Sequence, residues 1–262
     1  MNYLALASGS RGNCHAFSDG QRILLVDAGI PLKQIRTRLA AAGWDPSQIA
    51  AVVLSHEHSD HISAIPILLR NTNWLFIATK ATLTAVNSIY DIEIPPSRIV
   101  SMHHRRTTNW EGTMITPFAI PHDAVDPVAL RIELDGFHAA IVTDLGHQTR
   151  LVTEYCSNLD LLVIEANHDT NMLTYGNYPP TLKARILSKI GHLSNENMGT
   201  LLASVLSSRL TTVVLAHLSV RNNDPVLAIT LAKEVLKNTA TTLHLAQQHK
   251  VLSVACQSAI AT

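Results

Sequence analysis

Ser55-His56-Glu57-His58-Ser59-Asp60-His61 is the stretch that decides the fold of this 262-residue chain. It lies between a short apolar run and a predicted amphipathic helix. His56 and His58 alternate, so both side chains can face one ion, whereas Asp60 and His61 begin the helix and can face a second. Nitrogen and oxygen ligands of this kind suit a divalent metal, with zinc as the default and manganese or iron as alternatives. The stretch therefore predicts part of a two-metal site.

Further metal ligands must come from other segments, because four side chains of one loop cannot fill two coordination spheres. Three candidates each stand just past an apolar run that reads as a strand: His122 in IPHD, Asp144 in VTDLG and His217 in LAHLS. Asp27 ends another such run in VDAG. We expect these strand ends to meet at one edge of the fold, which would bring the four side chains together.

Short apolar strands and amphipathic helices alternate along the chain, and no linker or low-complexity tract divides it. This order predicts an α/β (α+β) fold with a single domain over residues 1–262, in which two mixed β-sheets pack together and helices cover both outer faces. The predicted strands are 3–7, 16–17, 22–26, 52–54, 75–78, 98–101, 114–120, 128–134, 137–142, 161–164, 212–215, 242–246 and 251–255. The predicted helices are 31–42, 61–70, 80–88, 147–155, 181–189, 195–206 and 225–236.

The composition is that of an ordinary globular protein, with 47% hydrophobic and 15% charged residues. The start of the chain lacks a signal-peptide pattern, and no apolar run approaches the roughly 18 residues of a membrane span, so we expect a cytoplasmic protein without a membrane partner. Lysine plus arginine equal aspartate plus glutamate at 20 each, so any polyanion site must be local. Cys14, Cys156 and Cys256 form no C-x-x-C pair and predict three unpaired thiols.

The order of the candidate ligands resembles that of the metallo-β-lactamase fold family. The resemblance implies a four-layer αββα sandwich with a two-metal site along one edge. It implies that one metal is held by His56, His58 and His122, and the other by Asp60, His61 and His217. Asp144 would bridge the two ions. Asp27 matches the family's acid that hydrogen-bonds and orients the ligands.

Several stretches outside the ligand set resemble the YycJ/WalJ/VicX-type branch of that family. They are SGSRGN at 8–13, EANHD at 165–169, GNYPPTLKARI at 176–186, GHLSN at 191–195 and AHLSVRNN at 216–223. Members of this branch are implied to be 5′-to-3′ exonucleases on double-stranded DNA. The resemblance thus implies a DNA substrate and two divalent ions, and no organic cofactor is expected.

Candidate substrate contacts lie in these same stretches. Gly9 and Gly12 would let backbone N–H groups approach a phosphate beside a charged side chain, although a simple turn explains the same residues. A basic helix face after two tyrosines could meet a DNA strand and stack a base, although a solvated helix with two packed tyrosines also explains these residues. The residues assigned to substrate binding are Ser10, Arg11, Asn13, His168, Tyr178, Lys183 and Arg185. The basic cluster at 103–106 is expected to lie in an exposed loop, without a catalytic role.

His-Leu-Ser occurs twice, and the two histidines are predicted to have different roles. His217 is a metal ligand, whereas His192 precedes a helix, as a non-ligand histidine does in RNase Z, which this region also resembles. We expect Asp60 or Asp144 to take a proton from a hydroxide held between the metals, and His192 to protonate the leaving oxygen. Glu196 is placed either to orient His192 or to cap its helix.

Other functions share this ligand pattern. A small-molecule phosphodiesterase, a glyoxalase II-like thioester hydrolase and a non-enzymatic regulatory protein stay open as alternatives. RNase Z and the β-CASP nucleases fit less well, because the chain has no protruding Gly/Pro-rich arm and only 72 residues separate Asp144 from His217. The sequence leaves undetermined the native metal, the cleavage polarity, the strand preference, the choice between DNA, RNA and a small phosphodiester, and the oligomeric state.

Overall fold

The structure, a computed structural model, describes residues 1–255. Its fourteen described strands form two seven-stranded sheets. The first sheet has the order β14-β1-β2-β3-β4-β5-β6 and the second has the order β13-β12-β11-β10-β9-β8-β7. The first contains β1 (Asn2–Ala7), β2 (Cys14–Ser18), β3 (Ile23–Val26), β4 (Ile49–Val53), β5 (Leu75–Thr79), β6 (Ile99–Met102) and β14 (Leu252–Ala255). The second contains β7 (Thr108–Trp110), β8 (Thr113–Ala119), β9 (Val128–Leu134), β10 (Phe137–Val142), β11 (Leu161–Glu165), β12 (Thr212–Ala216) and β13 (Thr242–Leu245).

Both sheets are mixed, as predicted. In the first, β14, β1, β2 and β3 pair antiparallel and β3 to β6 pair parallel. In the second, β7 to β10 pair antiparallel and β10 to β13 pair parallel. The parallel halves require helical crossovers, and their carboxyl ends lie together at one edge.

Nine α-helices lie within residues 1–255. Four of them follow strands of the first sheet: α1 (Leu32–Ala41), α2 (Ser59–Ile62), α3 (Ile65–Asn71) and α4 (Lys80–Tyr90). Five follow strands of the second sheet: α5 (Arg150–Tyr155), α6 (Thr170–Tyr175), α7 (Pro180–Ile186), α8 (Asn195–Val205) and α9 (Pro225–Leu236). Two short 3-10 helices, Pro46–Gln48 and Pro96–Arg98, precede strands.

Three apolar clusters match the four-layer sandwich predicted from the sequence. The central one packs the two sheets together, with Tyr3 and Phe17 from the first sheet against Leu130 and Val163 from the second. The other two lie between each sheet and its helices. Alternate residues of one strand point to opposite faces, so a strand such as β1 supplies both the central and an outer cluster.

Some local predictions were wrong. The helix predicted over 61–70 is two short helices, because the Ala64 amide between them donates to the Ala28 carbonyl at 2.9 Å instead of continuing the first helix. Strand β7 and helix α6 were not predicted.

Candidate metal centre

The loops after β4, β8, β10 and β12 meet at one edge of the sandwich and carry the predicted ligands. His56, His58 and His122 form one group, in which one donor atom of each lies within 4.8 Å of the others. His58 Nδ1 is 3.2 Å from His122 Nε2. On its far side, His58 Nε2 donates to the carbonyl of Asp123 at 3.2 Å, which fixes the ring so that Nδ1 faces the group.

Asp60, His61 and His217 form a second group by the same distance criterion. Asp60 Oδ2 is 3.5 Å from both His61 Nε2 and His217 Nε2. Asp144 joins the two groups, because it also lies within 4.8 Å of His56 and His61, and its Oδ2 is 3.2 Å from His61 Nε2. The structure thus brings together all seven side chains named from the sequence, in the two sets implied; their role as ligands stays a prediction.

The unpaired atoms of the centre fit divalent metals. His56 Nε2, His217 Nε2 and Asp144 Oδ2 are buried and have no hydrogen-bond partner within residues 1–255. Buried polar atoms without partners are costly, and each of these is a metal-donor atom aimed into the cluster. Imidazole nitrogens with a shared carboxylate suit zinc, manganese or iron.

Each histidine that offers Nε2 to the centre has its other ring nitrogen held by the surrounding structure. His61 Nδ1 donates to Asp27 Oδ2 at 2.8 Å, and Asp27 also accepts from the Ser55 amide at 2.9 Å. Such contacts fix both the tautomer and the ring orientation of a ligand. The remaining partners of Nδ1 are Ser55 Oγ for His56 at 3.0 Å, the Gly191 carbonyl for His122 at 3.2 Å and Glu165 Oε1 for His217 at 3.0 Å.

Three residues of the centre have left-handed backbones where their strands end. The φ angles are 61° at Asp27, 60° at Asp144 and 56° at His217. A non-glycine residue in this region is strained, and such strain concentrates at functional sites. This conformation lets the backbone turn sharply at the end of each strand, so that the side chain lies at the edge of the sheet.

Close backbone contacts hold the ligand loop against the first sheet. The Asn13 amide donates to the Asp60 carbonyl and the Ala28 amide donates to the His61 carbonyl, both at 2.7 Å. A Cβ on Gly29 would lie 1.6 Å from the Asp60 carbonyl oxygen. Glycine is therefore required in VDAG for the loop to reach its position.

Charge strongly shifts the pKa values at the centre. Burial would raise the pKa of Asp60, but His61 and His217 hold it below its usual range. Burial would lower the pKa of His61, but the carboxylates of Asp144 and Asp27 raise it well above the usual value. The pKa of His56 falls, mainly through burial. The carboxylates are therefore ionised, as metal ligands must be.

His192 lies beside the centre, and Glu165 holds it there. Its Nδ1 donates to Glu165 Oε1 at 2.8 Å and is 3.6 Å from Asp144 Oδ1. Glu165 is fully buried, and residues 1–255 give it four donors: His192, His217, and the amides of Leu145 and Leu193, which reach Oε2 at 2.7 and 3.2 Å. Although Asp144, Glu165, His192 and His217 are close enough for an ion, both oxygens of this carboxylate are already engaged by protein donors.

The expectation that Glu196 orients His192 was wrong. Glu196 is exposed, and its Oε2 accepts from Thr170 Oγ1 at 2.9 Å. Ser194 caps α8 by accepting from the Asn197 amide, and Glu196 lies in the first turn of that helix. This position agrees with the alternative prediction, that Glu196 belongs to the helix cap. Glu165 holds His192 instead. The sequence does carry a signal for Glu165: it is an acidic residue at the end of an apolar run, LLVIE, just as Asp27 ends the apolar run LLVD.

The loop at 8–13 is not the phosphate cradle expected from its glycines. The Gly9 amide donates to Asn13 Oδ1 at 2.9 Å and the Gly12 amide donates to the Gly9 carbonyl at 3.0 Å, so neither is free. Asn13 is fully buried, with its Nδ2 3.1 Å from His61 Nε2 and 3.3 Å from Asp60 Oδ2. Asn13 therefore contacts the predicted ligands from the interior of the protein, and because it is fully buried it cannot contact a substrate. Ser10 and Arg11 are exposed.

The other predicted substrate residues have different surroundings. His168 is 2% exposed, and its Nδ1 has no partner within residues 1–255. Arg185 pairs with Asp123, next to His122, at the rim of the centre. The ammonium of Lys183 donates to the Thr174 carbonyl at 2.8 Å and so ties α7 to α6. Tyr178 is half-buried, and residues 103–106 are exposed, as expected.

Comparison with known proteins identifies the family. Residues 22–217 match the family described as "Beta-lactamase superfamily domain". The exodeoxyribonuclease WalJ of Streptococcus pneumoniae is 36% identical over 224 residues, which cover 85% of this chain and 83% of that protein. The exodeoxyribonuclease YycJ of Bacillus anthracis is 30% identical over 237 residues, or 90% and 89% of the two chains.

Solved structures show the same fold. The metallo-β-lactamase fold protein YhfI from Bacillus subtilis superposes with a TM-score of 0.71 at 18% identity, covering 97% of this chain and all of YhfI. The short form of human tRNase Z does so with a TM-score of 0.65 at 16% identity, with coverage of 97% and 100%. Within residues 1–255, no helix has the length and apolar character needed to cross a bilayer. The chain therefore belongs to the β-lactamase superfamily and has the metallo-β-lactamase fold, with sequence relatives of the WalJ and YycJ type.

Proposed function

We propose that this protein is a dinuclear metal-dependent phosphodiesterase that degrades double-stranded DNA from the 5′ end. The observation that carries the proposal is the pair of donor groups that meet at Asp144, with His192 beside them and held by a different carboxylate. That the WalJ and YycJ relatives are exodeoxyribonucleases supports DNA as the substrate. Zinc is the first choice of metal, with manganese or iron as alternatives.

In this proposal, His56, His58 and His122 would hold the first ion, Asp60, His61 and His217 would hold the second, and Asp144 would contribute to both. Two divalent ions would supply charge neutralisation at the phosphate and a water of lowered pKa. Asp144 Oδ2 has no hydrogen-bond partner among the described residues, and the Asp60 side chain is 23% exposed. Asp60 is the more accessible of the two carboxylates proposed to take the proton of the attacking water, since Asp144 Oδ2 faces the metal centre as a donor atom.

His192 supplies the other proton transfer, to the leaving 3′ oxygen of the DNA strand. Its side chain is 20% exposed, whereas the His217 side chain is 2% exposed, so it can reach a substrate. Burial would lower the pKa of His192, but the charge of Glu165 and its hydrogen bond raise it above the usual value. Nδ1 is engaged by Glu165, which leaves Nε2 as the nitrogen that donates.

The test separates the two histidines of the repeated His-Leu-Ser. Loss of a general acid lowers turnover by about 10²- to 10⁴-fold, so His192→Ala should lower kcat on 5′-phosphorylated duplex DNA by that factor and retain both ions. His217→Ala should lose an ion. His147→Ala is the matched control, because His147 contacts the Lys189 carbonyl and belongs to neither donor group; its kcat should be unchanged.

Metal loss from His192→Ala would overturn this assignment. Release of mononucleotides from 5′-labelled linear duplex DNA supports the proposed reaction and its polarity. Turnover of bis-p-nitrophenyl phosphate without any action on DNA would instead favour the small-molecule phosphodiesterase. Turnover of a thioester alone would favour the glyoxalase II-like alternative.

A further inference from the structure

A cavity of about 430 Å³ opens between α1 and the loops at 8–13 and 246–250. Arg11, Lys33, Arg38 and His249 line it, and no acidic side chain among the described residues does so. The chain as a whole carries no net charge. A cavity whose charged groups are all basic is therefore a local departure from the balanced surface, and it favours an anionic ligand.

Arg38 shows that this charge is not neutralised within the protein. Its guanidinium is half-buried, and Nη1 donates to the carbonyls of Leu6 at 2.7 Å and Gln248 at 3.1 Å. Within residues 1–255, no carboxylate forms an ion pair with it. A partly desolvated cation that has only carbonyl partners is stabilised further by an anion.

The cavity adjoins the metal centre through two segments of chain. Arg11 stands two residues before Asn13, which contacts Asp60 and His61. Gly29, which packs against Asp60, is followed directly by two residues of the cavity wall, Ile30 and Pro31. The segments that form the cavity wall are therefore joined directly to residues that contact the ligand loop.

Gln248 holds the mouth of the cavity in place. Its Oε1 accepts from the Arg11 amide at 3.0 Å, and its Nε2 donates to the Gly12 carbonyl at 2.9 Å. The two loops that form the wall are thus joined by side-chain hydrogen bonds before any ligand binds. Preorganised walls reduce the ordering cost of binding.

We propose that this cavity binds a phosphate of the DNA backbone outside the metal centre, an inference that rests on the proposed function. Lysine and arginine contacts to phosphate position a nucleic acid without reading its sequence. The cavity would thereby fix the direction in which the strand crosses the metal centre.

Lys33 offers a clean test, because it is exposed and Arg36, on the same helix, is an exposed cation outside the cavity lining. Binding of labelled duplex DNA is measured with EDTA present, so that no hydrolysis occurs. Lys33→Ala should raise Kd about three- to tenfold and should lower the slope of log Kd against log salt concentration by about 1. Arg36→Ala should leave both unchanged.

Gln34→Glu places a carboxylate on the same wall and should weaken binding more than Lys33→Ala does; urea unfolding verifies that each variant is folded. Equal effects of Lys33→Ala and Arg36→Ala, or no DNA binding by the wild type, would overturn the cavity assignment. Failure of the proposed function is seen separately, as absence of metal-dependent DNA degradation by the wild type. The EDTA binding assay still gives a result for the cavity in that case.

Discussion

Glu165→Gln is the substitution that most sharply tests how the centre is built. The carboxylate has four donors, two on each oxygen: His192 and His217 on Oε1, and the amides of Leu145 and Leu193 on Oε2. Glutamine keeps the shape but offers only one acceptor oxygen. If that oxygen faces the imidazoles, the amide NH2 faces two backbone N–H groups. If it is turned round, the NH2 faces the two imidazole N–H groups.

Either orientation leaves two buried donors without an acceptor. Each such donor costs about 1–3 kcal/mol, so Glu165→Gln should lower the free energy of unfolding by about 2–6 kcal/mol. His217 can relieve one conflict by moving its proton to Nε2, the nitrogen that faces the second donor group, and that relief would weaken metal binding. The substitution should therefore reduce stability, metal content or both.

Urea unfolding in EDTA measures the stability of the metal-free chain, and metal analysis with kcat on duplex DNA measures the loaded enzyme. Glu196→Gln is the control, because Glu196 is exposed and should change unfolding by no more than about 0.5 kcal/mol. The reasoning is refuted if Glu165→Gln matches the wild type in stability and metal content. It is also refuted if Glu196→Gln causes the larger loss of turnover.

Three further predictions concern other parts of the fold. Burial lowers the pKa of His15 to about 3, whereas the unfolded chain has a histidine pKa of about 6.5. As the pH falls below about 6.5, the unfolded state therefore binds a proton that the folded state does not, and the free energy of unfolding decreases. Between pH 8 and pH 5, urea unfolding in EDTA should show a decrease that is about 2 kcal/mol smaller for His15→Phe than for the wild type. Arg209→Met removes the ion pair in which Nη2 lies 2.7 Å from Oδ2 of the buried Asp160, which keeps the His138 amide as a donor, and should cost about 1.5–3 kcal/mol; the same change in an Asp160→Asn background should cost at least about 1 kcal/mol less. Gly29→Ala should displace Asp60 and reduce bound metal, measured by elemental analysis, while Gly20→Ala, with open space around it, should leave metal content unchanged.

Much of the fold could be predicted because its strands are apolar runs that end in turns or at charged residues. Asp19-Gly20 marks the turn between β2 and β3, and IVTD marks the end of β10. Strand β7 could not be found this way, since its three residues have a single buried side chain, Trp110, and among the strands of residues 1–255 they pair with β8 alone. Helix α6 has a usable signal, the capping side chain of Asp169.

The candidate centre was predictable where ligands follow strands, and less so where a side chain acts through another. Asn13 reads as a loop residue in SGSRGN, and only the packing of that loop under Asp60 and His61 shows its supporting role. Glu196 lies two residues after the helix cap Ser194, close to His192 in the sequence, but residues that meet in the fold can be far apart in sequence. Glu165 contacts His192 across 27 positions.

The left-handed backbones of Asp144 and His217 have a consequence for how this centre can change by mutation. Histidine, asparagine and aspartate tolerate that conformation better than other side chains with a Cβ, and β-branched residues tolerate it poorly. Exchange between histidine and aspartate at these two positions therefore keeps the backbone in place while altering the hardness of the ligand set. Laboratory evolution towards a different metal should therefore select exchanges between histidine and aspartate at these two positions. Substitutions to valine or threonine there should be lost, because a β-branched side chain does not tolerate the left-handed backbone.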